Sequence, residues 1–86
     1  MENLWALVTG ASSGIGFAYA KELASRGYPV VMVSNEKQAI QEKGEWIRQT
    51  YGVDVLALYQ DLAMPGAAKA LFETCQAEGI IVDILV

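Results

Sequence analysis

The chain has 86 residues, a formal net charge of −4, no histidine and one cysteine, and 53% of its residues are hydrophobic. Without His there is no Ser-His-Asp triad and no His-based metal site, and one Cys makes neither a disulfide framework nor a Cys-rich zinc centre. The acidic balance argues against nucleic acid as a partner, no apolar run approaches the ~18 residues of a membrane span, and Met1-Glu2-Asn3-Leu4-Trp5 lacks the basic start of a secretion signal, so the expectation is a cytoplasmic protein.

Leu4 to Val8 is a short, wholly apolar run, as expected of a strand buried on both faces of a parallel sheet. The segment Gly10-Ala11-Ser12-Ser13-Gly14-Ile15-Gly16 follows. Ile15, Ala18, Tyr19 and Leu23 then recur at helical spacing and predict one buried helix face, with Gly27 as its stop. Val30 to Val33 is β-branched and uncharged, a second buried strand, ended by Ser34-Asn35-Glu36. Lys37 to Tyr51 is polar, with Ile40, Ile47 and Tyr51 on one face, and reads as a surface helix that carries Gly44 at a cost of about 1 kcal/mol against Ala and is closed by Gly52. Val53 to Tyr59 reads as a third strand, with Asp61 just past its end. Pro65 suits the first turn of a third helix, whose apolar face is Ala68, Leu71, Phe72 and Cys75 and whose stop is Gly79. Asp83 reads as the turn before a fourth strand beginning at Ile84-Leu85-Val86. The alternation βαβαβαβ argues for an α/β fold with a parallel sheet, right-handed crossovers and helices on both faces.

The glycine segment lies where the first strand feeds the first helix. A helix N-terminus presents free backbone N–H groups and the positive end of the helix dipole, which suits a phosphate, and glycine lets the backbone come close to it. The spacing is Gly10-x-x-x-Gly14-x-Gly16, which by count is neither G-x-G-x-x-G nor G-x-x-x-x-G-K-[ST].

Thr9-Gly10-Ala11-Ser12-Ser13-Gly14-Ile15-Gly16 resembles the T-G-x-x-x-G-x-G cofactor loop of the short-chain dehydrogenase/reductase family. The resemblance extends to Asp61-Leu62, where the family places an Asp that meets adenine, and to Asp83-Ile84-Leu85-Val86, which matches the first half of the family's fourth strand before an Asn-Asn-Ala-Gly motif. It implies a three-layer Rossmann-like fold with strand order 3-2-1-4, truncated at the fourth strand, and residues 1–86 as the N-terminal half of the cofactor domain. Gly10, Ser12, Ser13, Gly14, Ile15, Gly16, Ser34, Asn35, Asp61 and Leu62 are the implied cofactor-binding residues. The family's catalytic Ser and Tyr-x-x-x-Lys lie downstream; Tyr19 and Tyr28 are followed four residues on by Leu23 and Met32, so no such pair occurs here and no catalytic residue is assigned. The expectation is an NAD(P)(H)-binding fragment of an oxidoreductase that interconverts a carbonyl and an alcohol. Trp5, Ala18-Tyr19-Ala20 and Glu22-Leu23-Ala24 resemble the 3-ketoacyl-CoA reductase and 17β-hydroxysteroid dehydrogenase branch.

A carboxylate at the end of the second strand bonds the ribose 2′-OH of NAD, whereas an Arg accommodates the 2′-phosphate of NADP. Ser34 and Asn35 stand at these positions, so neither diagnostic residue is present. Loss of the Asp, with Ser34, Asn35 and Lys37 as donors, favours NADP, with NAD possible; Glu36 favours the other form if it turns inward. Elsewhere Cys75 reads as a small buried hydrophobe, Trp46 as a partly buried packing residue, and Glu36, Glu42 and Glu45 as a solvated helix face. The alternative function is a stand-alone interaction module on a degenerate Rossmann half. In order 3-2-1-4 the fourth strand is an apolar edge, which predicts a homo-oligomer. A flavodoxin-like phosphate binder shares the alternation but has a different loop.

Overall fold

The computed structural model of the chain describes residues 4–86; Met1-Glu2-Asn3, part of the reading on secretion, lie outside the described residues. Seven elements alternate: β1 (Leu4–Thr9), α1 (Gly14–Ser25), β2 (Val30–Ser34), α2 (Lys37–Tyr51), β3 (Val55–Tyr59), α3 (Ala67–Ala77) and β4 (Ile81–Leu85). The strands form one parallel sheet in the order β3-β2-β1-β4. β1 pairs with β2 in the register Ala6–Val30 to Thr9–Val33, and β2 with β3 from Val30–Val55 to Ser34–Tyr59. The expected fold class and strand order are those observed.

Strand alternation sends successive side chains to opposite faces, so each central strand feeds two cores. Ala6, Val8, Val30 and Met32 pack with Ala20, Leu23, Ile40 and Ile47 under α1 and α2. Leu7, Val31 and Val33 pack with Leu71, Cys75 and Ile80 under α3. Every residue of β2 is buried, which is why that stretch carries neither charge nor alternation.

Several local expectations change. The inward face of α1 is Ala20, Leu23 and Ala24, with Phe17 packed against the same core; Ile15 and Tyr19 point outward. Small residues let α1 sit close to the sheet, and the larger apolar side chains are left on its flank. In α3 the buried stripe is Ala67, Leu71 and Cys75, whereas Phe72 is exposed. Pro65 lies in the turn before α3, whose N-cap is Gly66. β3 begins at Val55, so Val53 and Asp54 precede it. Asp83 lies inside β4, not before it. The β1–β4 register shifts there, Trp5 pairing with Val82 and Ala6 with Ile84, so Asp83 is the extra residue of an irregularity.

α2 runs unbroken through Gly44. A Cβ at Gly44 would stand 3.0 Å from Ala57 Cβ and 3.4 Å from Val55 Cγ1, so the glycine lets α2 approach β3 closely. On the outer surface Trp46 meets Phe17 and Tyr51 edge-on, with centroids 5.8 and 6.0 Å apart, and the Lys21 and Lys43 ammonium groups each lie 4.9 Å from the Phe17 centroid. Among the described residues no helix is long and apolar enough to cross a membrane.

Candidate functional site

The C-terminal ends of β1, β2 and β3 open on one side of the sheet. The backbone ties the segments that leave them together: Ala11 N–H donates to the Val33 carbonyl at 3.0 Å and Gln60 N–H to the Ser34 carbonyl at 2.9 Å. Between them lies an open cleft of about 310 Å³, lined by Thr9 and Gly10 after β1, Ser34 and Asn35 after β2, and Gln60, Asp61 and Leu62 after β3. No Lys or Arg lines it.

The β1–α1 loop folds over itself at one wall. Gly10 and Gly14 adopt φ of +61° and +58°, the left-handed region. Gly16 serves differently: a Cβ there would stand 2.0 Å from the Gly10 carbonyl oxygen and 2.9 Å from that of Thr9. Only a glycine lets α1 start this close under the loop. Ser13 is the N-cap of α1 but its side chain makes no capping hydrogen bond, and no acidic residue occupies the first turn. The first N–H groups of the helix therefore have no partner within the helix, and its own first turn offers no acidic side chain to the positive end of its dipole. An anionic group at this corner meets amide edges, and Gly10, Gly14 and Gly16 put no Cβ in its way.

Ser12 and Ser34 are both buried, and their hydroxyls lie 2.8 Å apart. Ser12 Oγ donates to Glu36 Oε1 at 2.6 Å, and Ser34 Oγ accepts the Glu36 backbone N–H at 3.0 Å. A hydroxyl has one hydrogen; that of Ser12 goes to the carboxylate, so Ser34 donates to Ser12. Glu36 is exposed, as expected of a solvated face, and this hydroxyl pair holds its carboxylate beside the β1–α1 loop. Glu42 and Glu45 also stay on the outside of α2, accepting from Gln38 and Gln49.

Asp61 Oδ1 accepts the Ala63 N–H at 3.0 Å, which fixes the turn after β3, and Leu62 is exposed beside it. Of the ten residues singled out from sequence, Gly10, Ser34, Asn35, Asp61 and Leu62 line the cleft. Ser12 joins it through Ser34, and Ser13, Gly14 and Gly16 build the start of α1. The Ile15 side chain is not brought in; it is 76% exposed and lies with Ala18, Tyr19 and Glu22 on the flank of α1. Thr9, Gln60 and Glu36 are the members that motif reading left out of the site. Their signal is positional, since each falls within two residues of a strand's C-terminal end.

Cys75 is buried under α3, and burial pushes its thiol up from the usual range. Among the described residues no group of three His, Cys, Asp or Glu is placed to hold a metal ion.

The model of the short chain dehydrogenase family matches residues 4–86. The very-long-chain 3-oxoacyl-CoA reductase of Anas platyrhynchos is 38% identical over 84 residues, which is 95% of this chain and 26% of that protein. L-sorbose reductase from Gluconobacter frateurii, solved with NADPH and L-sorbose, superposes with a TM-score of 0.90 at 32% identity, over 98% of this chain and 32% of that one. A short-chain dehydrogenase from Sphingobium yanoikuyae in complex with NADPH gives 0.80 at 36% identity, over 92% of this chain and 32% of that one. The chain therefore spans about a quarter to a third of the length of these proteins.

Proposed function

The chain belongs to the short-chain dehydrogenase family, and on that premise we propose that residues 1–86 supply the adenosine and pyrophosphate side of a nicotinamide dinucleotide site. The whole protein is then an oxidoreductase that interconverts a carbonyl and an alcohol. The observation that carries this reading is the approach of Gly16 to the Gly10 carbonyl, which leaves the first N–H groups of α1 open beside a cleft at the strand ends. Dinucleotides bind outside the carboxyl ends of the strands, where strand order reverses, and here the reversal falls between β1 and β4.

Each residue has a role in this reading. Gly10, Ser13, Gly14, Ile15 and Gly16 present backbone N–H groups to the pyrophosphate, Ile15 through its main chain alone. Ser12, Ser34 and Asn35 border the adenosine ribose. Asp61 and Leu62 border the adenine, with the second Asp61 oxygen as acceptor. The bound nicotinamide supplies the hydride donor or acceptor, and the groups that act on substrate come from outside these residues. NADPH in two of the solved neighbours favours the phosphorylated cofactor, for which Asn35 at the cleft is a donor; the Glu36 carboxylate held beside Ser12 favours the unphosphorylated one.

The test is titration of the chain with NADH and NADPH, followed by dinucleotide fluorescence. Saturable binding that Gly16→Ala weakens by at least about tenfold supports the reading. Absence of binding at millimolar ligand refutes it.

A second reading is favoured by β4, at the sheet edge with Ile81 54% and Leu85 63% exposed. In it the chain is an assembly module that pairs through this edge and needs no nucleotide. Self-association without dinucleotide binding separates it from the first.

A further inference from the structure

We propose that Gln41 and Arg48 of α2 occupy the β3 edge of the sheet in place of a further strand, and so keep a second copy of this chain from pairing there. This closure is independent of dinucleotide binding. Strand order places β3 at one edge and β4 at the other. On its inner side β3 is tied to β2: Val30 N–H donates to the Asp54 carbonyl and Gln60 N–H to that of Ser34. The N–H and C=O of one strand residue point to the same side, and successive residues alternate. Leu56 and Leu58 therefore also face β2, whereas Val55, Ala57 and Tyr59 turn their backbone outward. An edge strand offers that outward row to any incoming strand. Here two of its carbonyls are already taken. Arg48 Nη2 donates to the Val55 carbonyl at 2.8 Å, and Gln41 Nε2 donates to the Ala57 carbonyl at 3.3 Å.

These donors sit where a paired strand would bring its own N–H groups. Gln41, Gly44 and Arg48 are spaced i, i+3 and i+7 and share one face of α2. Gly44 brings that face onto the strand, since a Cβ there would stand 3.0 Å from Ala57 Cβ and 3.4 Å from Val55 Cγ1. The two long side chains, one turn to either side, then fold over the strand edge. Glu45 accepts from the other terminal nitrogen of Arg48, so the guanidinium is braced on two sides. An incoming strand has to displace both side chains before it meets the carbonyls. β4 differs, with Ile81 54% and Leu85 63% exposed at the opposite edge. The asymmetry decides which assemblies are open to the chain. β4 of one copy laid along β3 of the next continues the parallel sheet head to tail and does not close. With β3 occupied, what remains is β4 against β4 about a two-fold axis, which closes as a pair.

The full chain and its Gln41→Ala/Arg48→Ala variant are compared by analytical ultracentrifugation over a range of concentrations, with far-UV circular dichroism reporting whether each is folded. The expected result is a wild type no larger than a dimer and a folded variant whose average mass keeps rising with concentration. Leu85→Lys added to that variant returns it to the wild-type limit, because an opened β3 needs the β4 of another copy. Cys75→Ala, which weakens the core and leaves α2 over the edge, stays within the wild-type limit. Gln41→Ala and Arg48→Ala alone are measured alongside; each is expected to grow by less, and where the double variant unfolds they decide in the same way. A wild type that grows beyond a dimer overturns the proposal, as does a folded variant with the edge uncovered that does not grow. Growth that Leu85→Lys leaves untouched, or that Cys75→Ala reproduces, belongs to instability and overturns it as well.

Discussion

Gly16 has no room for a methyl group. With a Cβ 2.0 Å from the Gly10 carbonyl oxygen, Gly16→Ala must move backbone rather than a flexible side chain, and the loop over α1 opens. Its effect is expected on dinucleotide affinity, about tenfold or more by fluorescence titration, with the far-UV circular dichroism of the chain retained. Cys75 makes the opposite kind of statement. Its thiol is buried and its pKa raised, so the native protein holds that proton more tightly than the unfolded chain does. The stabilisation is complete below the ordinary thiol pKa and is lost as pH rises through the raised value. Slow alkylation at neutral pH is expected, and the thiol's contribution to stability declines above about pH 9, as chemical denaturation across pH would record. The sequence already marked Gly10, Gly14 and Gly16, because spacing alone carries the backbone requirement. It left the direction of Glu36 open, because that depends on two hydroxyls, one of them 24 residues earlier in the chain, meeting behind the strand ends.

At the scale of elements, the helices were legible in existence and less so in orientation. α2 spans Lys37–Tyr51 as its polarity and its Gly52 stop predict, since one sparse apolar face leaves a single way to pack. α1 and α3 carry apolar residues on two sides, so periodicity does not say which side meets the sheet. In both, smaller residues turned inward and the bulky Tyr19 and Phe72 turned out. Gly44 looks like a weakness by helix propensity, at about 1 kcal/mol against Ala, and proves to be a contact with β3. A bulkier residue there wedges the helix off the sheet. Gly44→Val is expected to cost about 2 kcal/mol in urea unfolding, although propensity by itself favours Val slightly over Gly. The start of β4 was missed because Asp83 interrupts its apolar run, and a strand irregularity tolerates an exposed Asp that a turn would also accept.

Across the whole molecule, one sheet is covered on both faces over β1 and β2 and progressively less toward β4, where exposed and half-buried residues alternate. Part of the chain's hydrophobic content lies at the surface, since Ile15 and Tyr19 on α1 and Ile81 and Leu85 on β4 are all exposed. An apolar edge strand is a template for pairing with another chain. Self-association of the isolated chain is expected by light scattering, and Leu85→Lys, which places a charge on that edge, is expected to reduce it. The strand order itself was legible only through the family resemblance; alternation of elements establishes a parallel sheet and not which strand lies at its edge.

Titration with adenine dinucleotide reaches furthest, because fold, glycine loop and cleft all meet in it. Saturable binding of NADH or NADPH by the folded chain, weakened about tenfold or more by Gly16→Ala, is the expected result. A folded chain that binds neither dinucleotide at millimolar concentration, or binds them equally well with Gly16→Ala, would contradict the assignment of the β1–α1 loop as the pyrophosphate cradle.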